Sequence, residues 1–194
     1  MTYLVRMRSK FRPAAVALVL VAALAATGCA PKPAAPHTPA PTSTPLFASD
    51  EEALAAAEEA YAAYLSVTDA IFEGGAEDLS SLESVATGTQ LDADTAGFEE
   101  VFANGFRSTG STTFRDVRLQ RSAADNQDVQ QVVVVYLCED VSRVDVFDST
   151  GASVVQANRP DTTQYEVTFD VASPSDAALL VSDKVPWGDG TCSN

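Results

Sequence analysis

The chain is short of the residues that most site chemistry uses. It has one histidine, His37, in a proline-rich stretch, and none from Phe47 onward. A Ser-His-Asp or Cys-His arrangement therefore cannot be assembled in the part able to fold. The three cysteines, Cys29, Cys138 and Cys192, are too few for a four-thiolate zinc site, and sites that need histidine are excluded as well. No phosphate-cradling GxxxxGK loop and no dinucleotide fingerprint of glycines occurs. One segment, Asp92-Ala93-Asp94-Thr95-Ala96-Gly97, opens like a calcium loop. Its fifth and twelfth positions are Ala96 and Ala103, where oxygen ligands are required. It reads as a turn and N-cap before a helix. We expect no metal and no cofactor.

Basic charge is scarce too, at 12 Lys and Arg against 27 Asp and Glu. Such an excess of acid disfavours nucleic acid and anionic headgroups as partners. Long apolar runs are also missing. The run Ala14–Thr27 has 14 residues, fewer than the ~20 that a helix needs to span hydrocarbon.

What is present begins at the N-terminus. Arg6, Arg8, Lys10 and Arg12 precede that short apolar run, with no acid among them. A basic start, a short apolar stretch and small residues after it make a secretory signal, with the basic end cytoplasmic. The run closes on Leu24-Ala25-Ala26-Thr27-Gly28-Cys29. This resembles the lipobox of bacterial lipoproteins, although Ala26 stands where Leu is most usual. The resemblance implies cleavage after residue 28 and diacylation of Cys29. Stable anchoring needs more than one chain, a condition a diacylated cysteine meets. We expect the mature protein on the outer face of the cell membrane. Removal of residues 1–28 leaves 8 basic against 27 acidic residues, a net charge of −19.

Residues 29–46 read as lipidated cysteine and linker, with prolines at 31, 33, 36, 39, 41 and 45. Polyproline II at ~3.1 Å per residue would carry the domain up to roughly 50 Å from the membrane. Residues 47–194 are enough for one domain with a real core. Ser49 followed by Glu52 is a capping-box pattern. Leu54, Ala57, Tyr61, Tyr64, Leu65, Thr68, Ile71 and Phe72 then mark one face of a long helix, ended by Gly74-Gly75. Leu79, Leu82, Val85 and Ala86 suggest a short helix closed near Gly88. Phe98, Val101, Phe102 and Phe106 suggest a third, stopped by Asn104-Gly105.

After Gly110 the apolar period shifts towards two. Strands are expected over 113–121 and 129–139, and a hairpin over 144–147 and 152–155 about Asp148-Ser149-Thr150-Gly151. Tyr165, Val167, Phe169 and Val171 alternate with polar residues in a further strand over 163–171, and Ser173-Pro174-Ser175-Asp176 turns the chain back to 177–181. Helices first and an antiparallel meander afterwards give an α+β fold, N-terminal helices on a curved antiparallel sheet. Cys138 and Cys192 are expected to pair, since export permits disulfides and no neighbouring group activates either thiol.

Tyr136-Leu137-Cys138-Glu139-Asp140-Val141-Ser142-Arg143 and its continuation to Val154, then Arg159-Pro160-Asp161-Thr162-Thr163-Gln164-Tyr165, resemble uncharacterised lipoproteins of actinobacteria. The layout is similar to the nuclear-transport-factor-2-like, or SnoaL-like, cone fold. The resemblance covers roughly residues 50–194 and implies fold and location, with no active site carried over.

Two constellations remain as site candidates. Glu139, Asp140, Asp145 and Asp148 surround the central strand and hairpin. In cone-fold enzymes a carboxylate in an apolar cavity has a raised pKa and serves as a base. Asp140, Asp145 or Asp170, with Tyr136 or Tyr165 as hydroxyl donor, are the candidates for that role. Arg107, Arg115, Arg118 and Arg121 gather basic charge near the first strand, a candidate anion or partner patch. The leading expectation is a membrane-anchored, non-enzymatic module that binds a protein or small-molecule ligand. The alternative is a cone-fold enzyme or lipophilic-ligand carrier using a buried carboxylate, and a third option is an accessory subunit of an envelope complex.

Overall fold

The computed structural model describes residues 46–75, 78–122, 131–173 and 176–192. Residues 1–45, which carry the expected signal, Cys29, His37 and nearly all of the expected linker, lie outside the described residues, as do Val129 and Gln130 at the start of the expected central strand, Pro174 and Ser175.

Ser49 starts the first helix. Its Oγ accepts from the Glu52 amide at 3.2 Å, and the Glu52 carboxylate reaches back to accept from the Ala48 amide at 2.7 Å. Orphan donors at the helix start are thus satisfied from both sides. Helix α1 runs Asp50–Gly74 and buries Ala53, Ala57, Tyr61, Tyr64, Leu65 and Ile71. Gly75 ends it at φ 61, its amide donating to the Ile71 carbonyl, a left-handed cap that glycine adopts without a Cβ clash.

The next two elements depart from the local pattern. The segment expected as a short helix forms a single 3₁₀ turn, Ser80–Ser84, with Leu82 buried. Gly88 opens a helix instead of closing one: α2 runs Gly88–Ala103, with Thr87 at its N-cap. The Asp92–Gly97 segment is therefore helix interior and not a turn. The cause is tertiary. Thr87 donates its amide to Val181 O at 2.9 Å, and Thr89 Oγ1 donates to Ser182 O at 3.0 Å. These bonds to a later strand fix where the helix starts, overriding weak local propensity.

Among the described residues six strands follow: β1 Arg107–Thr109, β2 Thr113–Ser122, β3 Gln131–Asp140, β4 Asp145–Phe147, β5 Thr162–Ser173 and β6 Asp176–Pro186. Four of them form an antiparallel sheet in the order β2-β3-β5-β6, while β1 and β4 pair separately. β1 was not expected, and the second arm of the expected hairpin shrinks to one bridge, Phe147 to Ser153. Gly110 joins β1 to β2 at φ 87. A Cβ there would lie 1.9 Å from the Arg143 carbonyl oxygen, so only glycine lets this corner pass the β3–β4 loop.

Alternation along β3 sends Val133, Val135, Leu137 and Glu139 to one face, here called inner, and Val134, Tyr136 and Cys138 to the outer. Val133, Val135 and Leu137 pack with Val167, Phe169 and Val181 of the neighbouring strands and with Ala53, Ala57, Tyr61, Tyr64 and Leu65 of α1. Helices on one side of an antiparallel sheet make the fold α+β. On the outer side the chain after β6 turns back on β5: Trp187 donates its amide to Gln164 O, and Gln164 donates to Gly190 O. Cys192 then forms the expected disulfide with Cys138, Cα to Cα 5.7 Å. Among the described residues no helix is long and apolar enough to cross a membrane.

Candidate functional site

The inner face carries one charged knot. Glu139, on β3, is buried. Its Oε2 accepts from the Tyr61 hydroxyl of α1 at 2.5 Å and from Lys184 Nζ of β6 at 3.1 Å. The Lys184 ammonium also sits 4.6 Å from the Tyr165 ring centroid and 5.7 Å from that of Tyr64, where ring quadrupoles attract a cation. Tyr64 continues the network into α2. Its hydroxyl donates to the Asp94 carboxylate, 3.0 Å to Oδ2, and accepts from Gln90 Nε2 at 3.0 Å. Gln90 also donates to Asp94 Oδ1 at 2.7 Å.

Burial, then the Glu139 charge, raises the Tyr61 pKa well above its ordinary value, so Tyr61 is held as a donor. Tyr64 is raised by burial first and by Asp94 second. Asp94 is raised by burial, against the hydrogen bonds from Tyr64 and Gln90.

Such a knot stitches α1, α2, β3 and β6 together. The core on the same face is closely packed: Tyr61, Phe169, Leu137, Val133, Val135, Val167 and Val181 are each under 2% exposed. Surface grooves of about 540 Å³ beside Asp69 and Phe114, and of about 530 Å³ beside Phe72 and Val154, are lined by neither Glu139 nor Lys184.

The outer face is different in kind. Arg115, Arg118 and Arg121 stand opposite Cys138, Tyr136 and Val134. Residues three apart on a strand should alternate sides. Two bulges, one on each side of Arg118–Leu119, insert an extra residue each and bring all three arginines to one side. Asp116, in the first bulge, takes φ 57, a left-handed value that Asp tolerates better than most residues. Beside this row the Tyr136 and Trp187 rings stack at 4.4 Å, and Trp187 stays 43% exposed. Arg115 pairs with Asp116.

Of the five sequence candidates for an acid–base pair, only Tyr165 joins the buried network. Asp140 caps the turn after β3, accepting from the Ser142 amide at 2.8 Å, and hydrogen bonds from Ser142 hold its carboxyl below the usual range. Asp145 accepts from its neighbour Val146 and from Ser153 Oγ, which ties the hairpin. Asp148 caps the turn through Thr150 and Ala152. Tyr136 faces outward onto Trp187. Asp170 also lies on the outer side, its Oδ1 buried without a hydrogen-bond partner among the described residues, and burial raises its pKa. No base poised in a cavity is formed by these groups. Arg107 leaves the basic patch as well: it belongs to β1, and its guanidinium lies 5.0 Å over the Phe102 ring. Glu139, expected only as one of the acidic set around the central strand and hairpin, is the inward carboxylate, and the residues not foreseen as a site are Lys184, Asp94 and Gln90. Among the described residues no group of three His, Cys, Asp or Glu is placed to hold a metal ion.

No family model matches the chain, and no curated protein matches it. Among solved structures, the intermembrane space region of the chloroplast protein ARC6 is similar at 14% identity and a TM-score of 0.48, over 69% of this chain and 95% of that one.

Proposed function

We propose that this protein is a lipid-anchored module outside the cell membrane that docks an acidic protein partner on the outer face of its sheet. The observation that carries this reading is the outer face itself: Trp187 on Tyr136, and Val185 at 41% exposed, beside three aligned arginines. Tyr, Trp and Arg are the residues that dominate binding energy at protein interfaces. In a chain of net charge −15, an arginine row is the natural place for an acidic partner. Glu166 and Asp183 lie on the same side, opposite Tyr136 and Thr168, and would confine acidic contacts to the β2 half. The bulges in β2 disfavour strand addition at that edge, so contact falls on the face.

The basic leader and Leu24–Cys29 support export and lipidation at Cys29. The helix-on-sheet layout is compatible with the likeness to cone-fold lipoproteins. In that reading Val133, Val135, Leu137, Val167 and Phe169 pack the inner face of the sheet and Asp140 and Asp145 are engaged in turns, which favours an interaction module over an enzyme or carrier built on Asp140, Asp145 or Asp170.

A photo-crosslinking residue at position 187 of the full-length protein, in intact membranes, tests the docking face. We expect one discrete adduct that disappears when Arg118→Glu is added. No adduct, or the same adduct from a crosslinker at Glu83, would overturn the reading. Separately, Cys29→Ala should move the chain from the membrane to the soluble fraction and abolish palmitate labelling. Unchanged labelling would rule out anchoring at Cys29.

A further inference from the structure

The register across the sheet sorts charge by strand. On the outer face one row reads Arg118 on β2, Tyr136 on β3, Glu166 on β5 and Val185 on β6. The next row reads Arg121, Val134, Thr168 and Asp183. Cations thus stand at the β2 edge, and anions on β5 and β6. Arg118 and Arg121 are exposed, while Glu166 and Asp183 are half-buried. Neighbouring strands lie about 4.8 Å apart, so Arg121 and Asp183 are roughly 14 Å apart along their row. That is too far for a direct ion pair within one copy.

A face with both signs in separate columns is complementary to itself. Consider a two-fold axis that runs along the strands, in the plane between two outer faces. It reverses the strand order, so β2 lies over β6 of the second copy and β3 over its β5. Each row stays over its own row. Arg121 then meets Asp183 of the second copy, and Tyr136 meets its Glu166. Each contact occurs twice, as an isologous interface requires. Sheets aligned face to face pack about 10 Å apart, a gap that Arg and Tyr side chains bridge. Trp187 and Val185, 43% and 41% exposed, come to lie under the β2 edge of the second copy. The other two-fold axis in that plane, across the strands, would set β2 on β2 and bring the arginines together, which like-charge repulsion disfavours. At a net charge of −15 two copies repel at long range. Contact therefore requires a surface where opposite signs meet in register.

We propose that the outer face pairs with the outer face of a second copy of this chain, sheet on sheet, with Arg121 on Asp183 and Arg118 beside Glu166. The proposal rests on the reading of this face as a docking surface and names its acidic partner.

The photo-crosslinking residue at position 187 of the full-length protein, in intact membranes, tests both. We expect an adduct of twice the chain's mass in which peptide mapping finds this chain alone. Arg121→Asp and Asp183→Arg, each made in that background, should each lower its yield at least tenfold, since each sets like charges against each other twice. In membranes that hold both variants together the yield should return to the parent level. In the mixed pair both contacts regain opposite signs with their order reversed, a pattern that only a second copy produces. A discrete adduct with a different protein would keep the docking reading and overturn the self-pairing. No adduct at all would overturn both. A self-adduct that survives either single variant, or that does not return in the mixture, would overturn the proposed pairing.

Discussion

The two faces of the four-stranded sheet share the same strands and handle charge in opposite ways. On the inner face Lys184 and Glu139 are 18% and 9% exposed, and each finds the other. On the outer face Arg115 and Asp116 pair at 43% and 49% exposed, where water screens them. Burial makes the first pair obligatory, because removing one partner strands the other in a poor solvent for ions. Exposure makes the second nearly optional for stability, at roughly 0–1 kcal/mol. The inner charges therefore belong to the fold, while the outer ones stand exposed to water, where a partner can reach them.

The strongest way to break this contrast is Lys184→Met. It leaves Glu139 buried with only Tyr61, and we expect a loss of about 3–5 kcal/mol in urea unfolding. The double variant with Glu139→Gln, which keeps an acceptor for Tyr61, should be more stable than Lys184→Met alone. If the two losses simply add, the pair is not coupled and the inner knot is not what holds α1 to β6.

The outer face has its own stabilising element. The Cys138–Cys192 bridge spans 54 residues. A loop of that size constrains the unfolded chain by ~4 kcal/mol in the chain-entropy model. Replacing both cysteines by serine should lower stability by about 2–4 kcal/mol, read as a drop in the urea midpoint with a steeper slope, since the uncrosslinked unfolded chain exposes more surface. It should also loosen Trp187, five residues before Cys192, visible as a change in its fluorescence. A shift in the midpoint without any change at Trp187 would mean that the tail is held by its backbone bonds to Gln164 alone.

These two regions also show what could be read from the sequence and what could not. The first helix was legible end to end, because its cap, stripe and stop are local. The alternation of Tyr165, Val167, Phe169 and Val171 was legible for the same reason. Lys184 was not. It lies three residues after Val181, so strict alternation puts it outside, yet a bulge between Thr168 and Phe169 returns it to the inner face opposite Val167. The same mechanism hid the alignment of Arg115, Arg118 and Arg121, and excluded Arg107 from it. Asp94 and Gln90 were hidden by a helix start that depends on Val181, 94 residues after Thr87 in a pairing no local pattern announces. Asp140 and Asp148 carried a usable signal: Asp140-Val141-Ser142 and Asp148-Ser149-Thr150 are side-chain-capped turns, which occupy a carboxylate before chemistry can.

A smaller effect separates buried from exposed acids within the outer face. Burial raises the Asp170 pKa. The folded state then binds this proton more readily than the unfolded chain. Its contribution to stability rises as pH falls from neutral through the raised value, and levels off below the ordinary carboxylate pKa. Asp170→Asn should remove that part of the pH dependence and raise stability slightly at pH 7. The difference between wild-type and variant stability, measured across pH 4–7, should therefore shrink as pH falls. A difference that grows with acid would mean Asp170 is stabilised as the anion, through Ser182.

The smallest expected change in stability is the most informative about the proposed role. Arg118 is exposed and sits opposite Tyr136 at the centre of the arginine row. Arg118→Glu should leave stability within about 0.5 kcal/mol of wild type, as exposed substitutions away from caps and cores usually do. It should nevertheless abolish the crosslink from position 187, since it places an anion where the acidic partner would dock. If stability falls by more than about 1 kcal/mol, beyond the usual range for such a site, the arginine row is a cross-strand support like the inner knot. The two faces would then differ only in how much water they see, and the partner would have to be sought elsewhere on the molecule.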